Sequence, residues 1–376
     1  MVLRRRWFST NKSSRASNIK AVDDLALRQG RIRRTLERVA IIVVGSTGAN
    51  IGIESLNRFG IPLRFLKSLA ISSDIADTFY LESRGLSESS IIQVALGGLQ
   101  SDIELALEFY EEYRDSIINS INKLMPVSLV IIVCGTYGAT GAVFSVKIAE
   151  EIFKLGYDKT YVWIIAKVPA SDNSHSIQRE NSMWFFNRVR ELKEKYPNLA
   201  VTIASDSATL LEGSWARGSN ESLAYWLTTV LVGLALANTD PGNFGRLICR
   251  GEEPLSAPIL VKVPIGASSV VKAFSALEDR ISSLSPLLKE TFLRNIEFEI
   301  VYPAAIYGSI YTPEFEKESE CINVLSRRTK ITLRKITGSK NCDVTFRPAH
   351  GDVDKVILAG IVKSILVKSL GDYEVA

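Results

Sequence analysis

Two stretches of this sequence hold the residue types from which phosphate cradles are made. The first is Gly45-Ser46-Thr47-Gly48-Ala49-Asn50-Ile51-Gly52, and the second is Gly135-Thr136-Tyr137-Gly138-Ala139-Thr140-Gly141. Each follows a wholly apolar run, Val39 to Val44 and Leu129 to Val133, and each leads into a helical pattern. Glycine allows a backbone to take positive φ or to approach an anion with no Cβ in the way. Amides at a helix N-terminus attract negative charge. One such turn is common packing geometry. Two at the C-terminal ends of strands in one sheet point to a polyphosphate held from two sides.

Further polar residues sit at the same kind of place. Gly97-Gly98 follows the apolar run Ile91 to Leu96. Asp74 closes a run from Leu63 to Ser72, about 20 residues beyond the first loop, a spacing that also suits an acid holding a ribose in a dinucleotide site. The first loop reads GxxGxxxG rather than GxGxxG. That departure, the second loop and the shortage of proton donors set a nicotinamide-dependent oxidoreductase behind phosphate binding as a reading. Arg179 reads either as a phosphate contact or as a solvated loop arginine. Asp102 and Glu104 open a long helical pattern, Ser101 to Met125, where acids complement the macrodipole.

Other chemistries are excluded by what is scarce. The 376 residues include only His175 and His350, which disfavours histidine catalysis and histidine metal sites. Cys134, Cys249, Cys321 and Cys342 are far apart with no CxxC, so neither a zinc site nor a disulfide framework is suggested, and a reducing cytoplasm is the default. A net charge of +4 is too small to imply a specific nucleic-acid partner. Before Asp23 the chain is basic and rich in Ser and Asn, the composition of a solvated arm or of a transit peptide.

The elements that must position these residues follow from periodicity. Strands are expected at the four runs above, at Tyr161 to Val168 and at Leu199 to Ala204, alternating with helices. Ser222 to Thr239 is uncharged and apolar nearly all round, the pattern of a helix with protein or lipid on every side. Tyr225, Thr228, Thr229 and Asn238 dilute it and no second span accompanies it, so the chain reads as not transmembrane, with this helix wedged centrally and stopped by Pro241 and Gly242. Beyond it, strands are expected at Ile259 to Val263, Phe298 to Val301, Lys330 to Ile336 and Val344 to Arg347. Helices are expected at Ser268 to Leu284, Glu314 to Arg327 and Val353 to Leu370. The last would carry an apolar stripe of Val356, Ile357, Ile361, Ile365 and Leu366. The expected fold is α/β: a Rossmann-like parallel-sheet nucleotide-binding domain over 39–220, joined by a long central helix and loop at 221–240 to a smaller mixed α/β domain at 241–376, with an N-terminal arm and helix at 1–38.

In this order the pieces resemble the tubulin/FtsZ superfamily over most of Val39 to Arg347. Gly45 to Gly52 is similar to the first tubulin loop, GQxGNQxG. Ala70-Ile-Ser-Ser-Asp74 is similar to AINTDAQ of FtsZ. Gly135 to Gly141 stands at the GGGTG[ST]G signature, where Gly135, Thr140 and Gly141 match and Tyr137 replaces a glycine. Asn238-Thr239-Asp240-Pro241-Gly242-Asn243 resembles the NxDxx[DE] loop ending the family's central helix.

The resemblance implies a filament protein that binds GTP or GDP with Mg²⁺ and assembles head to tail with itself, adaptor proteins being further partners. It assigns Gly45, Ser46, Thr47, Gly48, Asn50, Asp74, Gly97, Gly98, Gly135, Thr136, Gly138, Thr140, Gly141, Arg179 and Ser207 to the nucleotide, and Asp240, Asn238 and Asn243 to catalysis from the next subunit. Ser207 stands where the family has a base-reading asparagine. Asn243 stands where hydrolytic members carry a second acid, which implies slow hydrolysis, or a scaffold that does not hydrolyse at all.

Overall fold

A computed structural model of the chain describes residues 33–58, 67–157, 159–169, 175–205, 210–211, 220–236, 240–250, 255–264, 298–301, 304–307, 327, 331, 346–349 and 355–364. Asn238, Ser207, the basic arm before residue 33 and the expected helix at 268–284 lie outside these residues.

Short apolar runs rich in Val and Ile become buried parallel strands because both of their faces must be covered. β1 (Val39–Val44), β2 (Lys67–Ser72), β3 (Ile91–Gln93), β4 (Leu129–Gly135), β5 (Tyr161–Val168) and β6 (Leu199–Ser205) run parallel in the order β3-β2-β1-β4-β5-β6. This is a Rossmann-like α/β sheet, and its order reverses between β1 and β4.

Side-chain alternation divides the core. Ala40, Ile42 and Val44 of β1, with Val130, Ile132 and Cys134 of β4, pack beneath α3 (Ile103–Leu124), α4 (Ala139–Lys154) and α5 (Ser176–Lys195). Val39, Ile41 and Val43, with Leu129, Ile131 and Val133, pack on the other face against α1 (Gly45–Arg58), α2 (Ile75–Ser83), α6 (Asn220–Leu236) and α7 (Pro241–Ile248). The helices therefore change faces across the β1/β4 boundary, which leaves a crevice at the strand C-termini there.

The central helix α6 is held by aromatic packing. Trp163 of β5 meets Trp226 edge to face at 5.6 Å and Phe244 of α7 at 5.5 Å, while its indole donates to Thr202 Oγ1 at 2.8 Å. Such a pair adds about 1 kcal/mol beyond area burial, and the bond to Thr202 satisfies the one polar atom of the ring. Thr228 on α6 donates to the Ser55 carbonyl of α1 at 2.9 Å. Among the described residues no helix is long and apolar enough to cross a membrane.

The sheet continues past the central helix. β7 (Leu210–Leu211) pairs parallel with β8 (Leu255–Pro264), and β8 joins β6 through Val201↔Leu255 and Thr202↔Ser256. β9 (Phe298–Val301), β10 (Ala304–Tyr307), β11 (Phe346–Ala349) and β12 (Lys355–Ser364) complete it, with β12 antiparallel to β8, β9 and β10.

Here the structure corrects three expectations. The terminal helix expected at 353–370 is a strand over Lys355–Ser364: its β-branched residues pair on both sides, and Gly360 weakens any helix. Ile331, expected in a strand, is helical. Pro241 does not merely stop α6 but opens α7, with the Asp240 carboxylate accepting from the Gly242 amide at 2.7 Å. Proline suits the first helical position because its missing N–H is not needed there.

Candidate functional site

The crevice at the β1/β4 boundary is walled by both glycine loops. The first is wound directly into α1, whose helical turn begins at Gly45 with φ of +67°. The second rises from the end of β4 to Gly138, whose extended backbone precedes α4 with no side chain capping it. Two helices thus present their N-termini side by side, the arrangement that favours an anion.

Close approach explains the glycines. A Cβ at Gly48 would lie 2.2 Å from the Val133 carbonyl oxygen, and one at Gly141 would lie 2.0 Å from that of Gly135. Around Gly138 and Gly97 there is open space instead.

Hydroxyl groups tie the loops together. Ser73 and Thr140 share a hydrogen bond of 2.7 Å, joining the end of β2 to α4. The Tyr137 phenol bonds the Thr47 hydroxyl, bridging the two glycine loops directly. Asp74 caps α2 by accepting from the Ala76 amide at 2.8 Å and forms a backbone bridge with Gly97. Gly98, at φ +79°, donates to the Ser73 carbonyl at 2.6 Å.

Asp77 and Ser46 lie at the lip of the cradle, with the Ser46 hydroxyl donating to the carboxylate at 2.6 Å. Burial raises the Asp77 carboxyl above its ordinary range, the bond from Ser46 opposes that, and the nearby Asp74 adds to it. Cys134, fully buried just before the second loop, is pushed up to about 12 by burial and stays a thiol. Asp102 is a helix cap, accepting from the Glu104 and Leu105 amides.

Gly45, Ser46, Thr47, Gly48, Asn50, Asp74, Gly97, Gly98, Gly135, Gly138, Thr140 and Gly141 are all gathered at this end of the sheet. Arg179 is there too, exposed in the first turn of α5. Thr136 belongs to the core: it is fully buried, and its hydroxyl meets Ser182 at 2.7 Å and the Lys167 carbonyl.

Asn181 was not anticipated. Its side-chain amide donates to the Ser101 carbonyl at 2.9 Å and the Tyr137 carbonyl at 3.1 Å, clamping the loop after Gly98 to the second glycine loop. The available signal was an amide at the head of the apolar stripe Phe185 and Val189, four and eight residues on.

Asp240 and Asn243 stand at the other end of the sheet. Asp240 Oδ2 is paired with the guanidinium of Arg38, which also donates to Ser128 Oγ at 2.8 Å. Arg38 directly precedes β1 and Gly45 directly follows it, so the six residues of β1 separate the two places. At strand geometry that is about 20 Å.

These features define the class: the chain has the fold of the tubulin/FtsZ superfamily. CetZ from Methanosaeta thermophila is 16% identical with a TM-score of 0.63, covering 89% of this chain and 88% of that one. CetZ1 from Haloferax volcanii, a GDP-bound monomer, is 17% identical at 0.62, covering 88% and 95%. The FtsZ dimer of M. jannaschii is 15% identical at 0.58, covering 86% and 87%. No protein-family model and no curated protein matches the sequence.

Proposed function

We propose that this protein binds a guanine nucleotide in the glycine cradle and assembles head to tail into filaments, hydrolysing the nucleotide slowly at each subunit junction. One observation carries the reading. The cradle and Asp240 lie at opposite ends of the same strands, so one subunit's Asp240 reaches a nucleotide only when that nucleotide sits on its neighbour. A contact joining unlike ends is heterologous and propagates unless its rotation closes a ring. CetZ2 from Haloferax volcanii has been seen as a GTPγS-bound protofilament, which accords with such stacking.

In the junction the polyphosphate rests on the amides of the first turns of α1 and α4. Asp240 accepts a hydrogen bond from a water lying in line with the terminal phosphorus. The water oxygen bonds to that phosphorus as the bond to the bridging oxygen breaks, the diphosphate leaves with the electron pair, and the water proton passes to the released phosphate. Among the described residues no three of His, Cys, Asp and Glu gather to cage a metal. Mg²⁺ needs no cage, since one or two carboxylates plus phosphate oxygens and water hold it, and Asp74 and Asp77 at the lip suit that. When bound it would neutralise charge on the phosphate oxygens.

The decisive substitution is Asp240→Asn, which keeps the cap on α7 while removing the charge. Nucleotide binding to the free subunit is expected to stay unchanged while phosphate release from polymer falls by about tenfold or more. Equal loss of both would place Asp240 in its own subunit's site and overturn the reading. Asn243, exposed where an acid would help, favours the second reading of a non-hydrolysing scaffold. Phosphate release that rises steeply with protein concentration decides against that.

A further inference from the structure

We propose that Arg38 is a second junction residue: in the free subunit it ties up Asp240, and in the filament its guanidinium moves onto the terminal phosphate of the neighbouring subunit's nucleotide. This rests on the split site proposed above and adds to it a group that the sequence did not single out.

The geometry is specific. One guanidinium nitrogen of Arg38 pairs with Asp240 Oδ2 and another with Ser128 Oγ at 2.8 Å. Asp240 Oδ1 is separately engaged by the Gly242 and Asn243 amides, at 2.7 and 3.3 Å. If Arg38 leaves, Oδ1 stays anchored to α7 and only Oδ2 is freed, already oriented, to hold a water. Release of the arginine and exposure of the water-holding oxygen are therefore one event.

Energetics favour the exchange. The Arg38 and Asp240 side chains are 52% and 33% exposed, so their pairing is solvent-screened and contributes little. A terminal phosphate enclosed at a junction offers more charge in drier surroundings and matches the planar guanidinium bidentately. A cation delivered to a phosphoryl group from a partner surface is a powerful form of transition-state stabilisation. It would also supply charge at a junction where Asn243 supplies none.

The test is complementation between two defective subunits of the full chain. Arg38→Ala leaves the cradle intact. Gly138→Asp places a carboxylate where phosphate would bind, in a position with open space for a side chain. Each variant alone is expected to release phosphate at least about tenfold more slowly than the parent, and mixing them is expected to restore turnover at junctions pairing one sound cradle with one sound Arg38. Asp240→Asn mixed with Gly138→Asp is the control. Rescue of Asp240→Asn but not of Arg38→Ala overturns the role of Arg38 and leaves the split site standing; rescue of neither overturns the split site itself.

Direct phosphate contact is read in the Asp240→Asn background, by the critical concentration for assembly with GTPγS and with GDP. Adding Arg38→Ala is expected to abolish the GTPγS preference there. An unchanged preference would mean that Arg38 acts only through Asp240, and would overturn the proposal.

Discussion

Gly141 is pressed against Gly135 so closely that a Cβ on the first would lie 2.0 Å from the carbonyl oxygen of the second. The second loop closes on itself at that point, and Gly48 from the first loop closes on the Val133 carbonyl beside it. Neither obstacle is the end of a flexible side chain; both are backbone. Gly141→Ala is therefore expected to cost about 1–3 kcal/mol of stability, as overpacking does, and to weaken nucleotide binding by opening the loop. Gly138→Ala, with open space around it, is expected to leave stability within about 0.5 kcal/mol. Chemical denaturation of the two variants side by side measures the contrast.

Tyr137 stands where the resembled signature has glycine, and its phenol reaches Thr47 across the crevice. Its ring also closes over Gly135, 3.0 Å from where a Cβ there would sit. Tyr137→Phe keeps the ring and removes the bridge. A single neutral hydrogen bond is worth about 1 kcal/mol, so nucleotide affinity is expected to fall by about fivefold, read by fluorescence titration of a labelled nucleotide. Unchanged affinity would show that the bridge does not order the cradle.

The first six strands were legible because each is a short, wholly apolar run ended by glycine or a small polar residue, the mark of a strand buried on both faces. The same rule failed at Lys355–Ser364, where Val356, Ile357 and Ile361 also fit a helical stripe; pairing with Val263, Lys262 and Pro258 of β8 decided for a strand. That pairing is non-local and invisible to any window. Cradle residues were legible because glycine spacing carries backbone information. Arg38, Asn181 and Lys193 were not, since their roles depend on which distant carbonyls and carboxylates the fold brings to them. The Asp-Pro start of α7 had a local signal, a capping acid before a proline.

Lys193 is buried, and its ammonium donates to three carbonyls: Pro197 at 2.7 Å, Leu199 at 2.9 Å and Cys249 at 2.7 Å. It pins the C-terminal turn of α5 and the start of β6 to the end of α7, the helix that carries Asp240 at its head. Lys193→Met keeps the length and leaves three acceptors without that donor. A loss of about 3 kcal/mol is expected, with lower turnover in polymer as α7 loosens, and nucleotide binding at the far end unchanged.

Asp77 makes stability depend on pH in an unusual direction. Its carboxyl is raised by burial, so between the ordinary value of 3.8 and the raised one the folded state holds more proton than the unfolded chain. Stability from this group therefore falls as pH rises through that window and is greatest below it. Asp77→Asn is expected to stabilise the protein at neutral pH and to lose that advantage as the pH drops below 3.8. Urea midpoints of the two proteins across the acid range check the sign; a gap that widens toward low pH would contradict it.

Asn243 offers the reverse experiment, a gain of function. It is exposed near the N-terminus of α7, where its backbone N–H already donates to Asp240 Oδ1 at 3.3 Å. An acid at this position is compatible with the helix, since negative charge near a helix N-terminus is favourable. Asn243→Asp is thus expected to leave thermal stability unchanged or slightly raised. At the junction it adds a carboxylate close to Asp240, able to polarise the same water, and phosphate release from polymer is expected to rise by about tenfold. The gain depends on the neighbour's nucleotide, so it must vanish at protein concentrations too low for assembly. A rise that persists in unassembled subunits would mean that the acid acts within its own chain, against the separation that β1 imposes.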